Sequence, residues 1–240
     1  MLTPNVIVTV FISVLKCELV MCVETDKYIP ALRFDWLTAL YDPIVRFTTR
    51  EKAFKSALVR QLDVHPGDRV LDLACGTGTL AVMVKSSNPQ AAVVGIDGDE
   101  RIIAIAKSKA NSAAVEIDFD HGLSFQLPYP DESFDRVVSS LFFHHLIRAN
   151  KLRTLQEIRR VLKPDGELHI ADWGFPENRL MRFMSTGIKL PDGRETTTDN
   201  FEGRLESYVA HAGFRDVTET THFNTWFGTI TLQITTLFGD

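Results

Sequence analysis

Val70 to Leu80 reads V-L-D-L-A-C-G-T-G-T-L, an apolar run that passes through a turn containing Gly76 and Gly78 and then enters a helix. Glycines have no Cβ, so the chain can pass close under a ligand at this turn. In an open α/β sheet the ligand crevice lies beyond the carboxyl ends of the central strands. Asp97 follows Gly78 by nineteen residues and ends the next apolar run, where a carboxylate can accept both hydroxyls of a ribose. Turn and acid together point to a nucleoside cofactor.

Outward from this stretch, strand and helix alternate. Phe54, Leu58, Val59 and Leu62 recur at helical spacing within Glu51 to Leu62, and His65-Pro66-Gly67-Asp68 stops that helix. Arg69 to Leu73 is a strand, Thr79 to Ser86 a helix, Ala92 to Ile96 a buried strand, and Asp99 to Ala114 a helix with an acidic first turn. Val115 to Phe119 and Phe134 to Ser139 supply two more strands. Lys151 to Leu162 is an amphipathic helix, and Glu167 to Asp172 a fifth strand behind the turn Lys163-Pro164-Asp165-Gly166. Such alternation predicts a doubly wound parallel sheet. The end of the chain changes style, with a helix over Glu202 to Ala212 and strands over Asp216 to His222 and Thr229 to Thr236. In the last of these, Ile230, Leu232 and Ile234 alternate with Thr231, Gln233 and Thr235, which predicts a half-exposed antiparallel strand.

The 240 residues are 45% apolar and 24% charged, a balance that excludes disorder, collagen and coiled coil. Lys and Arg number 26 against 31 Asp and Glu, a net charge of -5, so no global field draws the chain to nucleic acid or anionic lipid. Cys17, Cys22 and Cys75 are an odd number without zinc spacing, which predicts reduced thiols in a cytoplasmic compartment. Val6 to Leu15 is an unbroken apolar and hydroxyl run, short of the roughly 20 residues a spanning helix needs. No basic residue precedes Lys16 as a secretory signal requires, so no stable membrane insertion is expected. Residues 1–27 read first as a dispensable or non-native extension, then as a packed element, and last as an export segment.

Gly76-Thr77-Gly78-Thr79-Leu80-Ala81 also fits the dinucleotide pattern G-x-G-x-x-A, the alternative of an NAD-dependent oxidoreductase. Asp72 separates the two cofactors. A carboxylate four residues before Gly76 repels a pyrophosphate at the helix N-terminus and attracts a cationic amino-acid moiety. S-adenosylmethionine carries that moiety and no phosphate.

At these residues the sequence resembles the class I S-adenosylmethionine-dependent methyltransferases, whose first motif is an acid followed by a glycine-rich turn, here Asp72 to Gly78. Ala74 stands where that motif has its first glycine. The resemblance continues through G-I-D-G-D (Gly95 to Asp99), L-P-Y-P-D-E-S-F-D (Leu127 to Asp135), S-S-L-F-F-H-H-L (Ser139 to Leu146), E-I-R-R-V-L-K-P-D-G-E-L (Glu157 to Leu168) and A-D-W-G-F-P after the fifth strand. It looks closest to the ubiquinone and menaquinone C-methyltransferases and their small-molecule relatives. The implied fold is a seven-stranded doubly wound sheet, six strands parallel and the last antiparallel. The implied organisation is one methyltransferase domain over 28–240, with a helical cover over 28–62, a cofactor-binding core over 63–173 and a substrate-side insertion with a C-terminal strand pair over 174–240.

The resemblance implies that Asp72, Ala74, Gly76, Thr77 and Gly78 hold the methionine end of S-adenosylmethionine, Asp97 the ribose with Gly98 beside it, and Leu123 and Ser124 the adenine. Leu123 stands where the family's common Asp accepts from the adenine amino group. Ser140 and Leu141, leaving the fourth strand, reach the methyl group. The expected partner is a small-molecule methyl acceptor, apolar or aromatic; a non-catalytic member of the same fold is the other alternative. His144 and His145 follow the fourth strand on the acceptor side, so His144 is the candidate general base, against a capping or packing role for the pair.

Asp118, Asp120 and His121 offer metal-ligand chemistry, but a solvated loop is the preferred reading and no metal is expected. Cys75 reads as a small packed residue, since transfer from a sulfonium needs no enzyme nucleophile. The segment after the fourth strand, Ser139-Ser140-Leu141, has neither a catechol-type metal Asp nor an amide-holding D-P-P-Y or N-P-P-Y. Tyr28, Phe34, Trp36 and Tyr41, and Trp173, Phe175, Phe183, Phe223, Trp226 and Phe227 divide between core and an apolar acceptor pocket. Arg194 to Asn200 reads as a lid or a solvated loop.

Overall fold

Leu71 and Leu73 belong to one apolar cluster and Val70 to another, because successive residues of a strand face opposite sides of the sheet. In the computed structural model, which describes residues 50–174, 203–225 and 228–237, this two-sided burial organises the architecture. The elements are α1 (Glu51–Gln61), β1 (Arg69–Leu73), α2 (Thr79–Ser87), β2 (Ala92–Asp97), α3 (Glu100–Ser112), β3 (Asp118–His121) and β4 (Phe134–Ser140). A 3₁₀ turn (Phe143–His145), α4 (Arg148–Val161), β5 (Leu162–Trp173), α5 (Leu205–His211), β6 (Arg215–Asn224) and β7 (Thr229–Thr236) follow. The sheet order is β3-β2-β1-β4-β5-β7-β6. β7 pairs antiparallel with both β5 and β6, and the other pairings are parallel. Six strands therefore point one way and β7 the other, as expected.

Helix α1 buries Phe54 and Leu58 completely, with Leu80, Ala81 and Val84 of α2 and Ile103, Ala106 and Ala110 of α3 in the same cluster. On the opposite face Leu155, Ile158 and Val161 of α4 meet Leu205, Tyr208 and Val209 of α5. Asp99 caps α3 by accepting from the Arg101 backbone N–H at 2.9 Å. Among the described residues no helix is long and apolar enough to cross a membrane.

Three expectations are corrected. The strand expected at Val115 to Phe119 runs from Asp118 to His121. The end of α3 consumes the earlier residues: Ala114 turns left-handed at φ 53° and the Val115 N–H closes back on the Ala110 carbonyl. Asp118, Asp120 and His121 therefore lie in an edge strand and not in a loop. The tyrosine hydroxyl of Tyr129 donates to Asp120 at 2.9 Å, while His121 Nε2 lies 3.1 Å from the Gly98 carbonyl. Finally, β7 is buried on both faces rather than half-exposed. β6 takes the edge position and carries the exposure, and the polar side of β7 is covered: Gln233 donates to Glu206 of α5 at 3.2 Å, and Thr235 to the Arg215 carbonyl at 2.6 Å.

The N-terminal extension, the run Arg194 to Asn200, and Tyr28, Phe34, Trp36, Tyr41, Phe175, Phe183, Trp226 and Phe227 lie outside the described residues. Trp173 is core, 5% exposed, and Phe223 packs against the α1–α3 cluster.

Candidate active site

After β1 the chain crosses to β2 and β3 on one side, then returns to place β4 on the other. The crevice at this reversal, beyond the carboxyl ends of β1 and β4, is where an open α/β sheet binds its ligand. Two strained residues border it. Ala74 leaves β1 at φ 55° and Leu141 leaves β4 at φ 54°, a left-handed conformation costing a side chain about 1–2 kcal/mol. Ala74 thus keeps the backbone shape of the glycine it replaces. The Leu141 N–H donates to the Ala171 carbonyl at 2.8 Å, which holds the β4 exit against β5.

The two glycines of the turn do different work. Gly76 has φ +53° and a Cβ there would meet nothing within 4 Å, whereas a Cβ on Gly78 would lie 2.9 Å from Ala106 Cβ and 3.0 Å from Phe119. Gly78 lets α2 close against α3 and β3, and Gly76 leaves an open cradle. Gly78 is also the N-cap of α2 and supplies no side-chain cap, so a ligand carboxylate suits the helix N-terminus. Thr77 and Thr79 flank it, and Lys109 of α3 donates to both hydroxyls at 2.7 Å.

Asp97 Oδ2 accepts the Gly76 N–H at 2.9 Å and Oδ1 the Asp99 N–H at 3.1 Å. The carboxylate is thereby aimed at the turn, with lone pairs left for two ribose hydroxyls. Burial raises its pKa, and the N–H groups of Gly76 and Asp99 oppose that rise. Leu123 and Ser124, expected at the adenine, follow β3 directly, and the Gly122 N–H ties this segment to the Asp97 carbonyl at 3.0 Å. The Ser124 hydroxyl lies 2.9 Å from Thr154 Oγ1 of α4.

Asp72 is 1% exposed, and its Oδ2 has no hydrogen-bond partner. Desolvation pushes its pKa from the ordinary 3.8 up to about 7, with Lys55 and the Ala81 N–H pulling the other way. An orphaned buried carboxylate oxygen beside an open glycine cradle fits a ligand that brings a cation, as the amino-acid end of S-adenosylmethionine does. It does not fit a pyrophosphate. Cys75 is buried, and burial followed by the charges of Asp72 and Asp97 pushes its thiol well up, which removes it as a nucleophile.

On the β4 side, His144 is 3% exposed and its Nδ1 lies 2.7 Å from Asp172 Oδ1 at the end of β5. Asp172 was not among the residues singled out from the sequence. The available signal was its place in A-D-W at a strand's carboxyl end, the same kind of position as Asp97. Ser140 pairs with Ala171 of β5, which sets β4 and β5 in the register that lets Asp172 reach the turn after β4.

Comparison with known proteins agrees with this geometry. A family model described as a methyltransferase domain matches residues 70–166, the span from β1 to the middle of β5. The demethylmenaquinone methyltransferase of Deinococcus radiodurans is 34% identical over 54% of this chain and 53% of its own length. That of Symbiobacterium thermophilum is 29% identical over 89% of this chain and 94% of its own. The chain thus spans about half the length of some of the curated relatives it matches and nearly all of another. A solved S-adenosylmethionine-dependent methyltransferase from Aquifex aeolicus superposes with a TM-score of 0.62, covering 85% of this chain and 100% of that one at 21% identity, a likeness of fold.

Proposed function

We propose that this chain, a member of the class I S-adenosylmethionine-dependent methyltransferases related to the quinone methyltransferases, methylates a small apolar or aromatic acceptor by direct displacement. The observation that carries the reading is the crevice at the β1/β4 reversal, where the Gly76 cradle, the orphaned Asp72 oxygen and the anchored Asp97 converge. The cofactor supplies a sulfonium methyl group, and S-adenosylhomocysteine leaves. Asp72 faces its ammonium, the N-terminus of α2 its carboxylate, and Asp97 its ribose. Gly98, Leu123 and Ser124 border the adenine, and Ser140 and Leu141 border the methyl group. In this organisation 28–240 is one methyltransferase domain, in which 63–173 is the cofactor-binding core, 28–62 a helical cover and 174–240 a substrate-side insertion with a C-terminal strand pair.

Little chemistry is asked of the side chains. Alignment of acceptor and methyl group supplies most of the rate, through effective molarities of roughly 10⁵ M or more. A base is needed where the acceptor must lose a proton, and His144 is its candidate. The names of the relatives point to a quinone-type ring as the acceptor class, so 1,4-naphthohydroquinone is the first probe.

Calorimetry tests the reading. The wild-type chain is expected to bind S-adenosylhomocysteine and not NAD, and Asp97→Ala to abolish binding while the circular dichroism spectrum is retained. Binding of NAD without S-adenosylhomocysteine by the wild type would falsify it in favour of an oxidoreductase.

A further inference from the structure

We propose that Asp172 is a positioning residue for this reaction: its carboxylate keeps the His144 proton on Nδ1, so that Nε2 is the nitrogen that accepts a proton from the methyl acceptor. The inference rests on the methyltransferase reading and gives His144, rather than His145, the role of base.

The geometry fastens the carboxylate from three directions. Asp172 Oδ1 lies 2.7 Å from His144 Nδ1 and accepts the Trp173 backbone N–H at 2.7 Å, while Oδ2 accepts the His144 backbone N–H at 3.3 Å. Both residues are buried, His144 at 3% and Asp172 at 2% exposure. Besides the His144 ring, the Asp172 carboxylate receives two backbone N–H groups, those of Trp173 and His144, so it serves here as an acceptor. Its neighbour across a 2.7 Å contact must carry the proton on Nδ1, and a neutral imidazole then has its lone pair on Nε2. The same contact and the backbone bond fix the ring's orientation, as a carboxylate hydrogen-bonded to the far nitrogen of a reactive imidazole does.

His145 is the competing candidate, with its ring centroid 3.9 Å from that of His144. The Asp172 carboxylate bonds His144 and not His145. Burial and the neighbouring His144 push His145 down to about 3, against the pull of Asp172, so His145 stays neutral beside the pair.

In the step this supports, Nε2 takes the proton from an acceptor O–H or N–H, and the pair left behind is available, directly or through the ring, for the bond to the methyl carbon. The bond from that carbon to sulfur breaks with its electrons going to S-adenosylhomocysteine. Where oxygen or nitrogen is the site, the imidazolium stays paired with Asp172 until the product leaves and then passes its proton to water. Where ring carbon is the site, the ring proton goes to water as the ring regains aromaticity, and the imidazolium returns its proton to the ring oxygen.

The test uses the full chain, labelled with ¹⁵N in histidine and loaded with S-adenosylhomocysteine. Long-range proton–nitrogen NMR is expected to show Nδ1 as the protonated nitrogen of the neutral His144 ring, a tautomer that no longer dominates in Asp172→Asn. With 1,4-naphthohydroquinone as acceptor, Asp172→Asn and His144→Gln are each expected to lower kcat by about 10²-fold or more without changing S-adenosylhomocysteine affinity. Asp172→Glu should restore part of the rate, and His145→Gln should leave it unchanged. A proton on Nε2 in the wild type, or an Nδ1–H form that survives Asp172→Asn, overturns the inference. So does an Asp172→Asn variant with undiminished kcat. Failure of the wild type to bind S-adenosylhomocysteine would instead remove the methyltransferase reading.

Discussion

Asp72 shows how much chemistry one residue can hold in reserve. Its folded pKa of about 7 lies above the ordinary 3.8, so the folded chain holds this proton more tightly than the unfolded chain does. By linkage, the stability contributed by the protonated group is fully present below pH 3.8 and is lost as pH rises through about 7. Between those values the ligand-free protein should therefore become less stable from this group, and Asp72→Asn should flatten that part of the profile in urea titrations. Cofactor binding should run the opposite way. An ammonium needs the ionised form, so S-adenosylhomocysteine affinity should rise from pH 5.5 to pH 8 in the wild type and not in Asp72→Asn, as calorimetry can measure. An affinity independent of pH in both proteins would separate Asp72 from the ligand. That Asp72 stands four residues before Gly76, a spacing that favours a cationic ligand over a pyrophosphate, was legible in the sequence. That it is buried with one oxygen left without a partner was not, because burial depends on how α1 and α2 pack around β1.

At the scale of elements, the strand–turn–helix unit of β1 and α2 leaves one glycine, Gly76, facing open space and packs the other, Gly78, against its neighbours. Gly76→Ala places its Cβ in open space, at a φ of +53°. It should cost about 1–2 kcal/mol in stability, and its main effect should be a loss of S-adenosylhomocysteine affinity. Gly78→Ala drives a Cβ to 2.9 Å from Ala106 and 3.0 Å from Phe119, so it should destabilise the fold by roughly 2–4 kcal/mol, combining overpacking and backbone strain. Chemical denaturation of both variants beside calorimetry checks the division; equal losses of stability would refute it. The boundaries of β1, α2 and β2 were readable to within a residue or two because their apolar patterns are local. β7 was misjudged in its exposure because alternation of Thr and Ile reports the chemistry of two faces, and only the placement of β6 and α5 determines that both are covered.

For the whole molecule, ligand linkage gives the broadest test. A ligand that binds only the folded chain stabilises it by about 2.7 kcal/mol at 100 times its Kd. For a chain of this size that corresponds to a rise in Tm of roughly 5 to 11 °C. Saturating S-adenosylhomocysteine should produce such a rise, NAD should not, and Asp97→Ala should erase it in a thermal scan. The net charge of -5 suits this picture of a neutral small-molecule acceptor, with salt having little influence on its binding. By itself the sequence determined the alternating α/β architecture, the glycine turn and the acids Asp72 and Asp97, because each is written in local spacing along one strand and its following turn. Only the tertiary structure decided that Asp172 meets His144, twenty-eight residues away. Two parallel strands had to be laid side by side in one register before the carboxyl end of β5 could reach the turn that follows β4.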